Sequence, residues 1–390
     1  MNMKDAKNVW SRRTFLSAAA LSGAAAATSR LMPSKSEQGR ISSGDSIAFV
    51  GYSNSVKPDA QRIESYRIQN GTWARSANAF FADKPHALAM HPTLPVLYVA
   101  HSTDLYGNLP RGSVSALRVD GAAGVLKQIS REGLALSATK PGHLAVSPDG
   151  SKLLVSATGG GAYNLFSLAS DGSILPTAYP IKETGSGPHP LQTASQPHTV
   201  RFNRDGSAAY GSDFGTDHVA QIRLSSAAPA VVNRIALMSG SGPADMVIHP
   251  SGKFLIVSSK LKPRLSVVRT EADQQQAIAD QVGLDTVYGG QVALNRSGSR
   301  VYAASMDSAG NAVVATFALS STSGKLVLLR KQKTGLVGRA MQLVQHDDHL
   351  ILTGSSGVVS MAVYEKNGQL DEAKLVVNQP GAVSIAIHKI

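Results

Sequence analysis

The sequence contains no cysteine, which excludes disulfide bridges and thiolate metal sites alike. Charge is sparse: 16% of residues are charged against 43% hydrophobic, so the chain can bury a large core and lacks the composition of a disordered polyelectrolyte. Long amphipathic helical stretches are also missing. The nearest approach is the polar run from Glu271 to Ala279, which reads as a loop between repeating units. The net charge of +12 is partly local, because Lys4, Lys7, Arg12, Arg13 and Arg30 face only Asp5 in the first 32 residues and the remaining basic residues are scattered. Tracking a phosphate backbone needs adjacent positive charges, so without a contiguous basic stripe nucleic acid is not expected as a partner.

Several catalytic signatures are absent too. No nucleophile elbow supports Ser-His-Asp chemistry, and Asp213-Phe214-Gly215 stands without the glycine-rich loop, strand lysine and His-Arg-Asp element of a kinase. Gly159-Gly160-Gly161 is followed by no helix whose N-terminus could hold phosphate, and a hairpin turn accounts for it.

What is present is a repeat. Ser147-Pro148-Asp149-Gly150, Asn203-Arg204-Asp205-Gly206, His249-Pro250-Ser251-Gly252 and Asn295-Arg296-Ser297-Gly298 each sit between two strand-like runs, and their glycines are spaced by 56, 46 and 46 residues. That is the period of a four-stranded propeller blade. The third blade shows the grammar: Leu144-Ala145-Val146, the turn, Leu153 to Ser156, a glycine turn, then Tyr163 to Leu168. Asp-Gly and Ser-Gly supply the positive φ of two-residue hairpin turns. His91 and His249 occupy the turn position itself and are expected to be exposed.

Similar units run from Ala87 to Ala100 and, with Gln345-His346-Asp347-Asp348 in place of the turn, from Arg339 to Gly354. Another unit must be assembled from both ends. Ser46–Gly51 and Ile63–Ile68 lack an inner strand, while Gln379–Ile387 lacks outer ones, so the C-terminal strand is expected to complete the N-terminal blade and remove two sheet edges. The expected architecture is an all-β, seven-bladed β-propeller over residues 46–390, after a linker at 33–45 and an address segment at 1–32.

That address segment, Ser11-Arg12-Arg13-Thr14-Phe15-Leu16-Ser17 followed by a small apolar run from Ala18 to Ala27, resembles a twin-arginine export signal. The run is too short for a membrane span, which needs about 20 residues, so no stable membrane insertion is expected. The resemblance implies the twin-arginine translocation machinery as a partner and a periplasmic or secreted protein. Such machinery carries folded cargo, which suits a ring whose ends must meet.

Pro197-His198-Thr199-Val200-Arg201-Phe202, then Asp205-Gly206, Tyr210 and Asp213-Phe214-Gly215-Thr216-Asp217, is similar to the PHS, PDG, Y and DLGTD run of the seven-bladed lactonases, the propeller-type 6-phosphogluconolactonase family. Pro141 to Gly161 resembles the preceding blade. The resemblance implies a central funnel where a sugar lactone binds, with hydrolysis carried by polar residues at its mouth. The family's Arg-His pair after Gly-Pro falls here on Ala244 and Asp245, its glutamate on Lys260, its next acidic residue on Gln291 and a further arginine on Met306. Arg339 retains a family arginine. Exchanging Arg-His for Ala-Asp replaces positive donors by an acceptor, which favours an unphosphorylated lactone.

Lactone opening needs a base for water and donors for the oxyanion. His198 or Asp245 is the candidate base, with Arg339 and Lys260 as candidate oxyanion or carboxylate holders. His86, His143, Lys260 and Gln291 are candidate substrate-binding residues. His86 and His198 align, whereas His143 falls one residue later, and such a shift turns a strand side chain to the other face. Hydrogen-bonding channel residues are therefore expected rather than a metal site, and no cofactor is expected. Asp213 and Asp217 read as loop caps, and Gly185 to Pro190 as a flexible loop, an inert linker rather than a cover over the funnel. The alternative is a non-catalytic propeller that binds a small anionic ligand or a partner protein.

Overall fold

Strand-forming runs punctuated by turns give an all-strand chain. The computed structural model describes residues 45–53, 60–224, 228–270, 277–337, 340–346, 348–364 and 367–390, where every named element is a β-strand. The address segment, the linker up to residue 44, Arg339 and most of the Glu271–Ala279 run lie outside these residues.

The strands form seven antiparallel sheets. In the first blade Ser46–Tyr52 pairs on one side with Arg62–Gln69 and on the other with the C-terminal strand Ala382–Lys389, in the register Val50 to Ile385. The termini thus close the ring as the sequence leads one to expect. The inner strands of the following blades are Pro85–Met90, Thr139–Val146, Pro197–Phe202, Pro243–Ile248, Tyr288–Leu294 and Ala340–His346, and each packs beside the next until Ala340–His346 meets Ala382–Lys389.

Neighbouring blades cover both faces of each sheet, so second strands such as Val96–His101 and Phe254–Ser259 are buried throughout and read as continuous apolar runs. The hydrophobic core is divided into seams. Tyr98, Leu134 and Leu144 join the second and third blades, and Tyr302, Leu336 and Leu352 join the sixth and seventh. The outermost strands are exposed, and Leu326–Val337 carries Arg330, Lys331 and Lys333, charges that blunt an open edge.

The four repeated turns hold their glycines at φ between 73° and 76°. They are longer than two-residue hairpins. Ser147 N–H donates to Lys152 O around four intervening residues, and Gly150 N–H donates back to Ser147 O. Ser, Asn or His opens a type I turn with glycine at its fourth position, and left-handed glycine restores a twist that a type I turn alone would splay.

His91 and His249 are buried, at 7% and 4% exposure, against the expectation from their turn positions. These two turns abut the turn of the next blade. His91 Nδ1 accepts from Leu94 N–H, so its Nε2 donates to Gly150 O at 3.1 Å, and His249 fills the space where a β-carbon on Gly298 would lie.

One irregularity recurs in every blade. The inner strand gains one unpaired residue near its start, a β-bulge falling at His86, Gly142, His198, Ala244, Gly289–Gly290, Met341 and Val383. A bulge re-aims side chains locally and bends the strand. All these bulges lie at the same end of the ring.

Candidate active site

A cavity of about 780 Å³ occupies the ring's centre and is lined by the inner strands, with Lys260 reaching in from the end of a second strand. His86, His143, His198, Asp245, Lys260 and Gln291 all border it, so six of the seven residues picked from sequence meet there. Arg339, the seventh, lies outside the described residues.

The register agrees that His86 and His198 are equivalent and that His143 sits one place later. His143 is nevertheless not turned out of the channel. An inner strand presents its edge to the channel, so a shift of one residue changes the neighbouring blade toward which a side chain leans and leaves it bordering the cavity. Side chains one place after the bulge reach the next inner strand. His143 Nε2 faces Arg201 Nη1 at 2.6 Å, Thr199 Oγ1 donates to Ala244 O at 2.7 Å, and Asp245 Oδ2 accepts from Val292 N–H at 3.0 Å.

Asp245 is 4% exposed and is surrounded by donors. Its Oδ1 accepts from Met246 N–H at 2.9 Å and from Arg201 Nη2 at 3.3 Å, with Thr199 Oγ1 at 3.4 Å. Burial pushes its carboxyl above the usual range, opposed first by Arg201 and then by the two backbone donors. Arg201 also donates through Nε to Met246 O at 3.0 Å, so each arm of its guanidinium is committed. Guanidinium cannot accept, which makes His143 Nε2 an acceptor and His143 neutral.

Lys260 Nζ stands 3.1 Å from His198 Nε2, and the His198 ring lies 5.9 Å from that of Phe214. Burial lowers the pKa of His198 and of His143 well below 6.5, helped by Lys260 for the former and Arg201 for the latter. His86 is pushed down to about 4 by burial and by the charge of Lys260. The mouth therefore holds three neutral imidazoles and two cations. Among the described residues no group of histidines and carboxylates has the arrangement of a metal site.

Arg201 was missed in the sequence. Its signal is a break of pattern, because the corresponding inner-strand positions hold Ala89, Ala145, Val247 and Ala293. Asp213 caps its own loop by accepting from Gly215 N–H at 2.8 Å. Asp217 ties neighbouring loops together, accepting from Gly240 and Gly242 N–H and from Gln192 Nε2. Through Gln192, which is 1% exposed and also donates to Phe214 O, the loop after Gly185 is fastened to the loop that carries Phe214.

A family model described as lactonase, 7-bladed beta-propeller, matches residues 47–387. A 6-phosphogluconolactonase of Formosa agariphila is 22% identical over 233 residues, 57% of this chain, and the match spans 65% of that relative's length. A proposed 6-phosphogluconolactonase from Bacteroides fragilis superposes with a TM-score of 0.77 at 20% identity, covering 92% of this chain and 100% of the other. The periplasmic gluconolactonase of Pseudomonas aeruginosa gives a TM-score of 0.76 at 18% identity, covering 88% and 99%.

Proposed function

The chain belongs to the seven-bladed β-propeller lactonase family, and from that premise we propose that it hydrolyses an unphosphorylated lactone in the central channel. The observation that carries this reading is a pair of cations, each held by a neutral imidazole at the channel mouth: Lys260 by His198 and Arg201 by His143. The positive charge of these two side chains in a partly dry site favours the oxyanion that develops when a lactone carbonyl is attacked.

His86 is the base. It is neutral at pH 7, and among the described residues its ring has no hydrogen-bond partner, which leaves a lone pair for water. Water gives a proton to His86 as its oxygen bonds to the carbonyl carbon. The carbonyl oxygen becomes negative beside Lys260 and Arg201, and the ring C–O bond then breaks as the proton passes to the departing alkoxide. Asp245, with both oxygens occupied, positions Arg201. His198 positions Lys260. Gln291 lies further along the rim and offers an amide to the substrate. The change of the family Arg-His pair to Ala244-Asp245 removes donors that a phosphate would use.

The test is hydrolysis by the purified protein of a lactone panel that includes glucono-δ-lactone and its 6-phosphate, beside His86→Gln and Lys260→Met. Turnover cut at least a hundredfold in both variants is expected. Turnover at the spontaneous rate in the parent protein would overturn the reading. The two cations would then favour a propeller that binds a small anion without reaction.

We further propose export by the twin-arginine machinery, on the strength of Arg12-Arg13 and of a superposable relative named as periplasmic. Among the described residues no helix is long and apolar enough to cross a membrane.

A further inference from the structure

Below the mouth the channel changes character. Three and four residues beyond each bulge, the inner strands line the cavity with Met90, Phe202, Val247, Ile248, Leu294 and Ile387. At about 3.3 Å per residue this tier begins roughly 10 Å beneath the mouth. Arg201 springs from this depth, but its side chain reaches back to the mouth, where its guanidinium meets His143 and Asp245. Its three arms are spent on Met246 O, His143 and Asp245, so it offers little to a ligand from below.

A sugar lactone carries a hydroxyl on nearly every carbon. Pressed into this tier, those hydroxyls would lose water against methyl and methylene groups and could bond only to the free edges of the inner strands, each hydroxyl left unpaired costing about 1–3 kcal/mol. A cavity of about 780 Å³ is in the range that receives drug-sized ligands and exceeds what a small polyhydroxy ring fills. An unbranched alkyl chain meets the walls without such a penalty.

We propose that the lower channel is a subsite for an aliphatic tail, and that the substrate is an alkyl-substituted lactone whose ring sits among His86, Lys260 and Arg201 while its chain runs down the axis. This deepens the lactonase reading and rests on it for the position of the ring. The tail subsite itself is separable from catalysis.

Two series test it on the full-length folded protein. The first is kcat/KM for γ-lactones from four to ten carbons. The second is the calorimetric affinity of straight-chain alkanoates of the same lengths, probes that need no turnover. Each added methylene is expected to raise both quantities about threefold, until the channel is filled, with one site per chain. Ile248→Thr and Ile387→Thr are each expected to weaken the ten-carbon acid about threefold more than the four-carbon acid, and either variant suffices if the other fails to fold. Flat series for both probes would overturn the tail subsite while leaving lactone hydrolysis intact. Rising alkanoate affinity without hydrolysis of any lactone would uphold the subsite and overturn the reaction. A steep preference for glucono-δ-lactone over every alkyl lactone would also overturn the proposal.

Discussion

Arg201 donates to His143 Nε2 across 2.6 Å from a neighbouring blade while its other terminal nitrogen reaches Asp245 in the blade beyond. One side chain thereby bridges three inner strands at the level where the channel turns from polar to apolar.

Removing the anionic end of that bridge takes the carboxylate from Arg201, whose side chain is 30% exposed, and the acceptor from Met246 and Val292 N–H. Asp245→Ala is expected to cost about 1–3 kcal/mol of folding stability, read as a fall in the urea midpoint with an unchanged slope. Asp245→Asn keeps one acceptor oxygen, enough for Met246 or Val292 N–H but not for both, and is expected to lose less stability than Asp245→Ala while still lowering kcat. An Asp245→Ala protein as stable as the parent would remove the positioning role.

The pH profile separates His86 from an ordinary histidine. Burial holds it near 4 instead of 6.5, so the neutral, proton-accepting form persists down to about pH 5. The profile of kcat/KM is expected to be level at neutral pH and to fall with an apparent pKa of about 4. Stability runs in the same direction over a wider window. The depressed pKa values of His86, His143 and His198 contribute stability fully above about pH 6.5, and the contribution fades as pH falls below it. Melting temperatures recorded beside the rates distinguish the two effects. A kinetic pKa near 6.5 would exclude His86 as the base.

Two glycines at matching backbone angles test the seams between turns. Gly252 has φ of 74° with open space around a notional β-carbon, whereas Gly298 has φ of 76° with the His249 ring in the place a β-carbon would take. Gly252→Ala is expected to cost about 1 kcal/mol through backbone strain alone. Gly298→Ala is expected to cost about 2 kcal/mol more, because the buried imidazole must move as well. Equal melting temperatures for the two variants would show that His249 yields freely.

Replacing Arg12 and Arg13 by lysine is expected to retain the protein in the cytoplasm. Fractionation of cells that express both forms measures this, and unimpaired export of the variant would dismiss the twin-arginine route.

The ring was legible because its punctuation is chemical. A glycine with positive φ at each recurring turn, together with two incomplete units at the ends, is visible in one dimension. The mouth was partly legible for the same reason, since His86 and His198 directly follow a proline at the head of an inner strand and Asp245 stands one place further on. Burial of His91 depended on Gly150, 59 residues away in the next blade, and no local pattern reports that contact. Arg201 stood in plain view inside an apolar strand, yet its place became clear only when its blade could be compared with its neighbours at equal depth. The one-residue offset of His143 was legible, but which neighbour it meets was not, because that depends on an inner strand facing the channel edge-on.

The extra residue in each inner strand gives the ring a set of sockets. Because a bulged position takes no direct partner in the ladder, a ring nitrogen, a lone α-hydrogen, a methyl group or an isopropyl group can occupy it with the same backbone, as His198, Gly142, Ala244 and Val383 do. Chemistry at the rim is thus uncoupled from the pairing that keeps the wheel round. Transplanting a side chain from one spoke to another becomes a rotation of the site about the axis, and the same frame could be refitted for a different ligand one socket at a time.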